Sequence, residues 1–256
     1  MNLLISTRAE MTKTKRSASF WLSLLGAGVI PTLFFLAYVI KPERCYSQDW
    51  DKHFIQGWQA FNAFLLPMFV ILICSLILQI EYKNNAWKQV FASPQTIGNI
   101  FFSKYLTIVF MILFLFVVFN IFMLLSAIIP NFFYSKFTFL TKSIDWSQLY
   151  LLNLKTFVSL LAIISIQYWL SLRFRNFIVP IGIGLALLVT ALILYQFRWA
   201  HIYKVPYAMT VLTLEGALET RSTGPVLQNH ELNSIGYFVF FSVLAFLDMR
   251  YRKERG

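Results

Sequence analysis

The sequence contains little of what most enzymes and secreted domains depend on. It has only two cysteines, Cys45 and Cys74, and only 13% of its 256 residues are charged. Cys45 falls in a predicted loop and Cys74 inside a predicted apolar segment, so the two thiols would lie at different depths. This separation argues against a disulfide, and two cysteines are too few to suggest a metal site.

Motifs for nucleotide and hydrolytic chemistry are missing as well. No G-x-x-x-x-G-K occurs, so the chain cannot hold a nucleoside triphosphate in the P-loop manner, and any ATP has to be used by another subunit. His53, His201 and His230 fall in predicted outer loops without an H-E-x-x-H spacing, which argues against an intramembrane metalloprotease. The predicted spans contain no Asp, Glu or His, the usual side chains of a proton or ion relay.

Long apolar runs dominate what is present. Hydrophobic residues make up 58% of the chain, and the mean hydropathy is +0.65. The hydrophobic fraction is above the roughly 45–50% of soluble domains, and a span needs about 20 apolar residues. We therefore predict an all-α, polytopic membrane protein with one transmembrane domain over 1–256 and no soluble domain. The six predicted spans are Phe20 to Ile40, Ala60 to Ile80, Tyr105 to Ile129, Leu149 to Leu172, Phe177 to Phe197 and a short one, Leu232 to Leu247.

The distribution of charge predicts the orientation. With six spans, the side that holds the N-terminus carries 13 basic and 4 acidic residues, and the opposite side carries 8 basic and 7 acidic residues. Because positively charged loops stay in the cytoplasm, both termini are predicted to be cytoplasmic. This asymmetry accounts for the net charge of +11, so a nucleic-acid partner is not needed to explain it.

The stretch EYKNNAWKQVFASPQTIGNIFFSK, Glu81 to Lys104, forms the first predicted cytoplasmic loop. Trp87, Val90 and Phe91 stand at the i, i+3, i+4 spacing of one helical face. Ser93 and Pro94 are typical of an N-cap followed by the first helical residue, which predicts a second helix that begins here and enters the third span. The pattern alone also fits an interfacial helix that merely covers the bundle.

This loop resembles the first cytoplasmic loop of ABC-2 type permeases, especially the small permeases of lantibiotic immunity and bacitracin resistance. The resemblance rests on the order E-Y-K-N-N-A-W-K, then S-P, then S-K at the mouth of the third span. It implies a coupling helix that contacts the ATPase subunit. The implied contact residues are Glu81, Asn85, Trp87, Lys88, Val90, Phe91 and Pro94.

The N-terminal stretch AEMTKTKRSASFWLSL resembles the opening of the same family, an acidic residue followed by a basic cluster before the first span. In the family this segment is an amphipathic connecting helix along the inner leaflet, which implies that role for Glu10, Lys13, Lys15 and Arg16. Leu3, Leu4, Thr7 and Met11 would share one side of it. An ordinary positively charged flank of a first span has a similar pattern.

After the fifth span, VPYAMTVLTLEGALET places Tyr207, Val211, Leu214 and Leu218 at i, i+4, i+7 and i+11. This spacing predicts an amphipathic helix at the outer interface that begins at Pro206. The resembling permeases have short re-entrant helices here as an outer gate, which these four residues would form. The alternative is a surface helix that holds a long loop flat.

The resemblance implies the permease subunit of an ATP-binding-cassette exporter in the bacterial cytoplasmic membrane. This chain would be no enzyme and would hold no cofactor, because ATP and Mg would bind to a separate ATPase partner. A homodimer, or a heterodimer with a related permease, would sit in membrane lipid. The expected cargo is hydrophobic or amphiphilic: a peptide antibiotic, a lipid-like molecule or a drug. A stand-alone channel or secondary transporter, a membrane-embedded enzyme and a non-transporting scaffold are the alternatives.

Overall fold

The structure is a computed structural model that describes residues 2–15, 17–46, 48–83, 86–134, 136–137, 139–219 and 227–251. Within these ranges the chain forms α-helices with short 3-10 and π segments, and no strand. The side chains of Arg44, Cys45, Lys88, Phe91 and residues 216–219 are not part of the description. The helices are α1 (Leu3–Thr14), α2 (Ala18–Ile40), α3 (Trp50–Ala60), α4 (Leu66–Lys83), α5 (Trp87–Ala92), α6 (Ile97–Phe133), α7 (Trp146–Arg173), α8 (Ile178–Gln196), α9 (Met209–Glu219) and α10 (Asn229–Tyr251).

Six helical stretches of the described chain are long and apolar enough to cross a membrane, which confirms the predicted number of spans. They are α2, the continuous stretch Trp50–Lys83, α6, α7, α8 and α10. The prediction of a short sixth span was wrong, because α10 has 23 residues and is about 34 Å long at 1.5 Å per residue. Below, the helix ends on the predicted cytoplasmic side are called inner and the opposite ends outer.

The second span begins ten residues earlier than predicted and contains a π turn, Phe61–Leu65, between α3 and α4. Here the Leu66 N–H donates to the Phe61 carbonyl, five residues back. Pro67 has no N–H, so neither the usual donor nor the next one is available to the carbonyl of Asn62. That carbonyl instead accepts a hydrogen bond from Thr210 of α9, with Oγ1 3.4 Å away.

The outer extension of the second span corrects the placement of His53 in a loop. His53 lies in α3 and is fully buried. Its Nε2 lies 2.9 Å from the Met123 carbonyl of α6, an acceptor, so Nε2 carries the proton. Nδ1 then accepts from the Tyr38 hydroxyl of α2 at 2.7 Å. The histidine therefore joins α2, α3 and α6 at their outer ends.

The bundle has a packed centre and exposed flanks. α2 packs along α6, α10 packs along α7, and α4 contacts both α7 and α8. In the most apolar 18-residue stretch of each span, the buried share of residues is 56% for Trp50–Lys83, 22% for α8 and 17% for α10. Since a bilayer solvates apolar side chains, the outward faces of α8 and α10 can meet lipid or another membrane helix.

Candidate functional site: the inner ends of the helices

A buried group of four charged side chains joins three helices at their inner ends. Lys104, near the start of α6, is fully buried, and its Nζ lies 2.7 Å from Glu81 Oε1 and 2.9 Å from Glu10 Oε2. Lys13 Nζ lies 2.9 Å from Glu10 Oε1 and 3.3 Å from Glu81 Oε1. We call Glu10, Lys13, Glu81 and Lys104 the charge cluster. It fastens α1 to the end of α4 and the start of α6.

The charge cluster stabilises the ionised forms of its own members. Burial alone would raise the pKa of the Glu10 carboxyl, but the ammonium groups of Lys104 and Lys13 together hold that pKa below its usual value. Burial alone would lower the pKa of Lys13, but the carboxylates of Glu10 and Glu81 raise it above its usual value. Both groups are therefore charged at neutral pH. Removing one partner from such a buried set costs about 3–5 kcal/mol, because an uncompensated charge is left behind.

Trp87, the first residue of α5, packs over the charge cluster. The Nζ of Lys104 lies 5.6 Å from the centre of the Trp87 ring, within cation–π distance. The ring of Tyr82 packs against Trp87 at a centroid distance of 5.3 Å. The Tyr82 hydroxyl also donates to the Leu172 carbonyl at 2.7 Å. The start of α5 is therefore linked to the inner ends of α1, α4, α6 and α7.

The predicted helix restart at Ser93 and Pro94 was wrong. Ser93 follows α5, and its hydroxyl donates to the Val90 carbonyl at 2.6 Å. The next helix, α6, begins at Ile97, and Thr96 is its N-cap because Thr96 Oγ1 accepts the Asn99 N–H at 3.2 Å. Pro94 lies in the bend between the two helices and is exposed.

Other residues assigned to the coupling loop are described only in part. Asn85 lies outside the described residues. Lys88 and Phe91 belong to α5, but their side chains are not described. Val90 is half-buried and packs against the hydrophobic core.

An open cleft of about 290 Å³ separates α1 from the loop that carries α5. Ser6, Glu10 and Lys13 line one side, and Gln89, Val90 and Gln95 line the other. The Ser6 hydroxyl donates across it to Gln95 Oε1 at 3.1 Å. The two segments assigned from separate parts of the sequence, the connecting segment and the coupling loop, are thus neighbours in the fold.

Glu10 and Lys13 of the connecting segment lie in α1, and the face of this helix that packs on the bundle carries polar as well as apolar residues. Ser6, Thr7 and Thr14 are buried, whereas Leu4 is 81% exposed and Ile5 is 55% exposed. Of the predicted shared side, Leu3 and Met11 are half-buried and Thr7 is buried on the packed face, whereas Leu4 falls outside it. Of the other assigned residues, Lys15 is exposed, and Arg16 lies outside the described residues.

The predicted outer gate residues lie in a 3-10 turn, Pro206–Ala208, and in α9. Tyr207 and Leu214 are buried, and Val211 is half-buried. Leu218 belongs to α9, but its side chain is not described. Thr210 and Thr213 are buried too, so the inward face carries hydroxyls as well as the predicted apolar groups.

Sequence reasoning treated Lys104 as a loop charge and missed its part in the site. A signal was present: Lys104 follows Ile97, Ile100 and Phe101 at i+7, i+4 and i+3, so it falls on the apolar face of the helix. A lysine on a buried face needs acidic partners. Glu10 and Glu81 are two of the four acidic residues on the inner side of the chain.

Comparison with protein-family models finds a match to a model described as ABC-2 family transporter protein, over residues 6–191. The match covers more than half of the 256 residues. The chain belongs to the ABC-2 transporter family. No curated protein matches it significantly.

Membership in the ABC-2 family makes the chain the permease subunit of a membrane transporter, a multi-pass membrane protein. Such permeases usually pair with ABC ATPase subunits. The matched region runs from α1 to α8 and contains the whole charge cluster. α9 and α10 lie beyond it.

Proposed function

We propose that this ABC-2 permease exports a hydrophobic or amphiphilic substrate, such as a peptide antibiotic, a lipid-like molecule or a drug, across a bacterial cytoplasmic membrane. The energy comes from ATP that a separate ATPase subunit hydrolyses with Mg. The coupling helix is α5, and the loop around it is the ATPase contact. The family membership supports the transport role, and the charge cluster supports the assignment of the contact.

The charge cluster suits α5 for transmitting movement. α5 lies in the connection between the inner ends of α4 and α6. The ion pair Glu81–Lys104, with 2.7 Å between Oε1 and Nζ, joins these two ends. A push on α5 therefore moves the second and third spans together instead of spreading them. Tyr82 extends the connection to α7 through Leu172, and Glu10 extends it to α1.

The outward part of the proposed mechanism is a gate formed by residues 202–219. This segment, with Tyr207, Val211, Leu214 and Leu218, would open when α4 and α6 tilt against α8. A second permease, identical or related, would complete the pathway. The sparse burial of α8 and α10 within one chain leaves surface for that dimer and for lipid.

The test is substitution in α5 within the purified complex. Trp87→Ala and Phe91→Ala should lower substrate-stimulated ATPase activity and transport, while a Walker-motif ATPase still co-purifies and is identified by mass spectrometry. Trp146→Ala is the matched control, since Trp146 lies at the outer start of α7 and is 61% exposed. It should leave both activities unchanged.

Two outcomes would overturn the proposal. If the α5 variants kept full ATPase stimulation and transport, the coupling role of this loop would be wrong. If no ATPase co-purified with an intact bundle, a stand-alone transporter or a scaffold would replace the exporter.

A further inference from the structure

A buried glutamine connects the outer segment to the interior of the bundle. Gln167 of α7 is fully buried. Its Nε2 donates to the Pro180 carbonyl of α8 at 2.7 Å and to Ser75 Oγ of α4 at 3.3 Å. Its Oε1 accepts the Tyr207 hydroxyl at 3.3 Å. One amide thus holds four segments of the chain together.

The Tyr207 contact lies deep in the protein. Gln167 is six residues before the inner end of α7, about 9 Å along the helix. Its other partner, Pro180, is sixteen residues before the end of α8, so the outer end of α8 lies about 24 Å further out. The segment after α8 therefore turns back toward the inner half of the bundle before α9 begins.

The packing around Gln167 has room for the amide but for little else. A Cβ at Gly184 of α8 would lie 2.6 Å from Gln167 Oε1 and 2.9 Å from Ile71 Cγ2. A methyl group at this position requires the Gln167 amide, the Ile71 side chain or both to shift, which disturbs the Oε1 that accepts from Tyr207. Gly182, on the same helix, has no atom within 4 Å of its ideal Cβ among the described residues, so it provides a matched control.

We propose that Gln167 is a positioning residue that latches the segment 202–219 through Tyr207, and that releasing this hydrogen bond opens a water path from the outer side to Cys74. The proposal rests on the function proposed above for that segment. Cys74 is the residue before Ser75 in α4 and is fully buried. Ser75 in turn accepts a hydrogen bond from Gln167 at 3.3 Å, so Cys74 lies next to one of the residues that the amide holds.

Because the last turn of α4 contains Glu81, the latch connects the outer segment to a helix that contributes to the charge cluster. Ser75 and Ser171 lie 3.2 Å apart at their hydroxyls, which joins α4 to α7 beside Gln167. A tilt of α4 that follows a movement of α5 would displace Ser75 relative to Gln167. That displacement would weaken the hydrogen bond between Gln167 and Tyr207. α4 thus connects the inner charge cluster to the outer segment.

The native thiol at Cys74 serves as the reporter. In a Cys45→Ser background, right-side-out vesicles are treated with a membrane-impermeant quaternary-ammonium thiosulfonate, and mass spectrometry follows modification of Cys74. The parent should react slowly, because its thiol is fully buried. Tyr207→Phe keeps the ring and removes only the hydroxyl, and loss of this buried hydrogen bond should speed modification about tenfold.

Gly184→Ala should raise the rate as Tyr207→Phe does, whereas Gly182→Ala should react at the parent rate. Gln167→Leu should raise it further if the protein still folds. An unchanged rate in both Tyr207→Phe and Gly184→Ala would overturn the latch. Equal acceleration in Gly182→Ala would also overturn it, because that result means general loosening.

The failure of the latch is distinguishable from the failure of the exporter. The vesicle experiment needs neither ATP nor the ATPase, so it tests the latch alone. A second arm compares the parent complex, with its co-purified ATPase, with and without ATP and vanadate. If the latch variants are modified faster but ATP and vanadate do not change the rate in the parent complex, the latch is supported and the ATP-driven gate is wrong.

Discussion

Glu81 and Lys104, at opposite ends of the loop between the second and third spans, meet as an ion pair with 2.7 Å between Oε1 and Nζ. The side chain of Lys104 has no exposed surface, and that of Glu81 has 2%. A lysine in such a place needs its partners, because the free energy of burying a lone ammonium group is prohibitive. α1 supplies further partners for this pair, because Glu10 binds Lys104 and Lys13 binds Glu81.

Lys104→Met should detach α1 from the bundle. Glu10 and Glu81 would face each other without the buried ammonium group, at a cost of about 3–5 kcal/mol. Trypsin cleavage at the exposed Arg8 should then become faster, since α1 unfolds locally. Asp248→Asn is the control: its partner Arg173 has a 55% exposed side chain, and exposed pairs contribute about 0–1 kcal/mol.

The cost of Lys104→Met should be recovered in part when both acids are neutralised. In Glu10→Gln, Glu81→Gln, Lys104→Met, no buried charge is left uncompensated by the loss of Lys104. The thermal midpoint in detergent should lie above that of Lys104→Met alone. A triple variant at or below the single variant would show that lost packing, not charge, dominates.

The stabilising effect of Glu10 should depend on pH at the acid end. Its folded-state pKa lies below the unfolded value of about 4.3, so its contribution is full above about pH 5 and is lost as pH falls through the lowered pKa. Lys13 has a raised pKa, so its contribution is full below its unfolded value of about 10.4 and is lost as pH rises through the raised pKa.

This pH dependence is measured as the difference in thermal midpoint between the wild type and Glu10→Gln. The difference should be constant from about pH 6 to pH 8 and should shrink below about pH 4. A difference that grows on acidification would contradict the sign of the assigned pKa shift.

Thr96, not Ser93, should stabilise the first turn of α6 as its N-cap. Thr96→Ala removes the acceptor of the Asn99 N–H and should cost about 1 kcal/mol. Hydrogen exchange of the amides of 98–100 should speed up. Ser93→Ala should affect the end of α5 instead, where its hydroxyl meets the Val90 carbonyl. Equal effects of both variants on α6 would contradict the assignment of the cap.

Arg198→Gly should stabilise the turn that ends α8. Arg198 has φ 49°, the left-handed region that favours glycine. The Trp199 N–H bonds back to the Leu194 carbonyl at 3.1 Å, which closes this helix end. The free energy of unfolding should rise by about 1 kcal/mol, measured as a higher thermal midpoint. A lower midpoint would show that the arginine side chain contributes more than the backbone strain costs.

The spans were predictable because the signal for each lies within its own residues. Apolar runs of about 20 residues are specified locally. Five of the six predicted segments fall inside the observed helices, and the remaining one, Phe177 to Phe197, extends one residue beyond α8 at each end. The start of the second span and the placement of His53 were not predictable in this way. Polar residues such as Asp51 and His53 precede the apolar run, yet α3 continues outward because His53 finds partners on α2 and α6.

The coupling loop shows the same limit. The spacing of Trp87, Val90 and Phe91 predicts a helix, and α5 is present at Trp87–Ala92. The helix restart was misplaced because Ser93 and Thr96 are both good caps by residue type. Which of them caps depends on where the chain must turn to bring Lys104 to the acids.

By itself, the sequence determined the membrane class, the number of spans and the charge asymmetry that predicts the orientation, since hydrophobicity and charge act on each segment separately. Only the tertiary structure decided which polar groups meet. Lys104 and Glu10 are 94 residues apart in the chain, and Tyr207 and Gln167 are 40 apart. A buried polar side chain must find a partner, but its own neighbourhood in the sequence does not specify which one. The packing of the helices makes that choice.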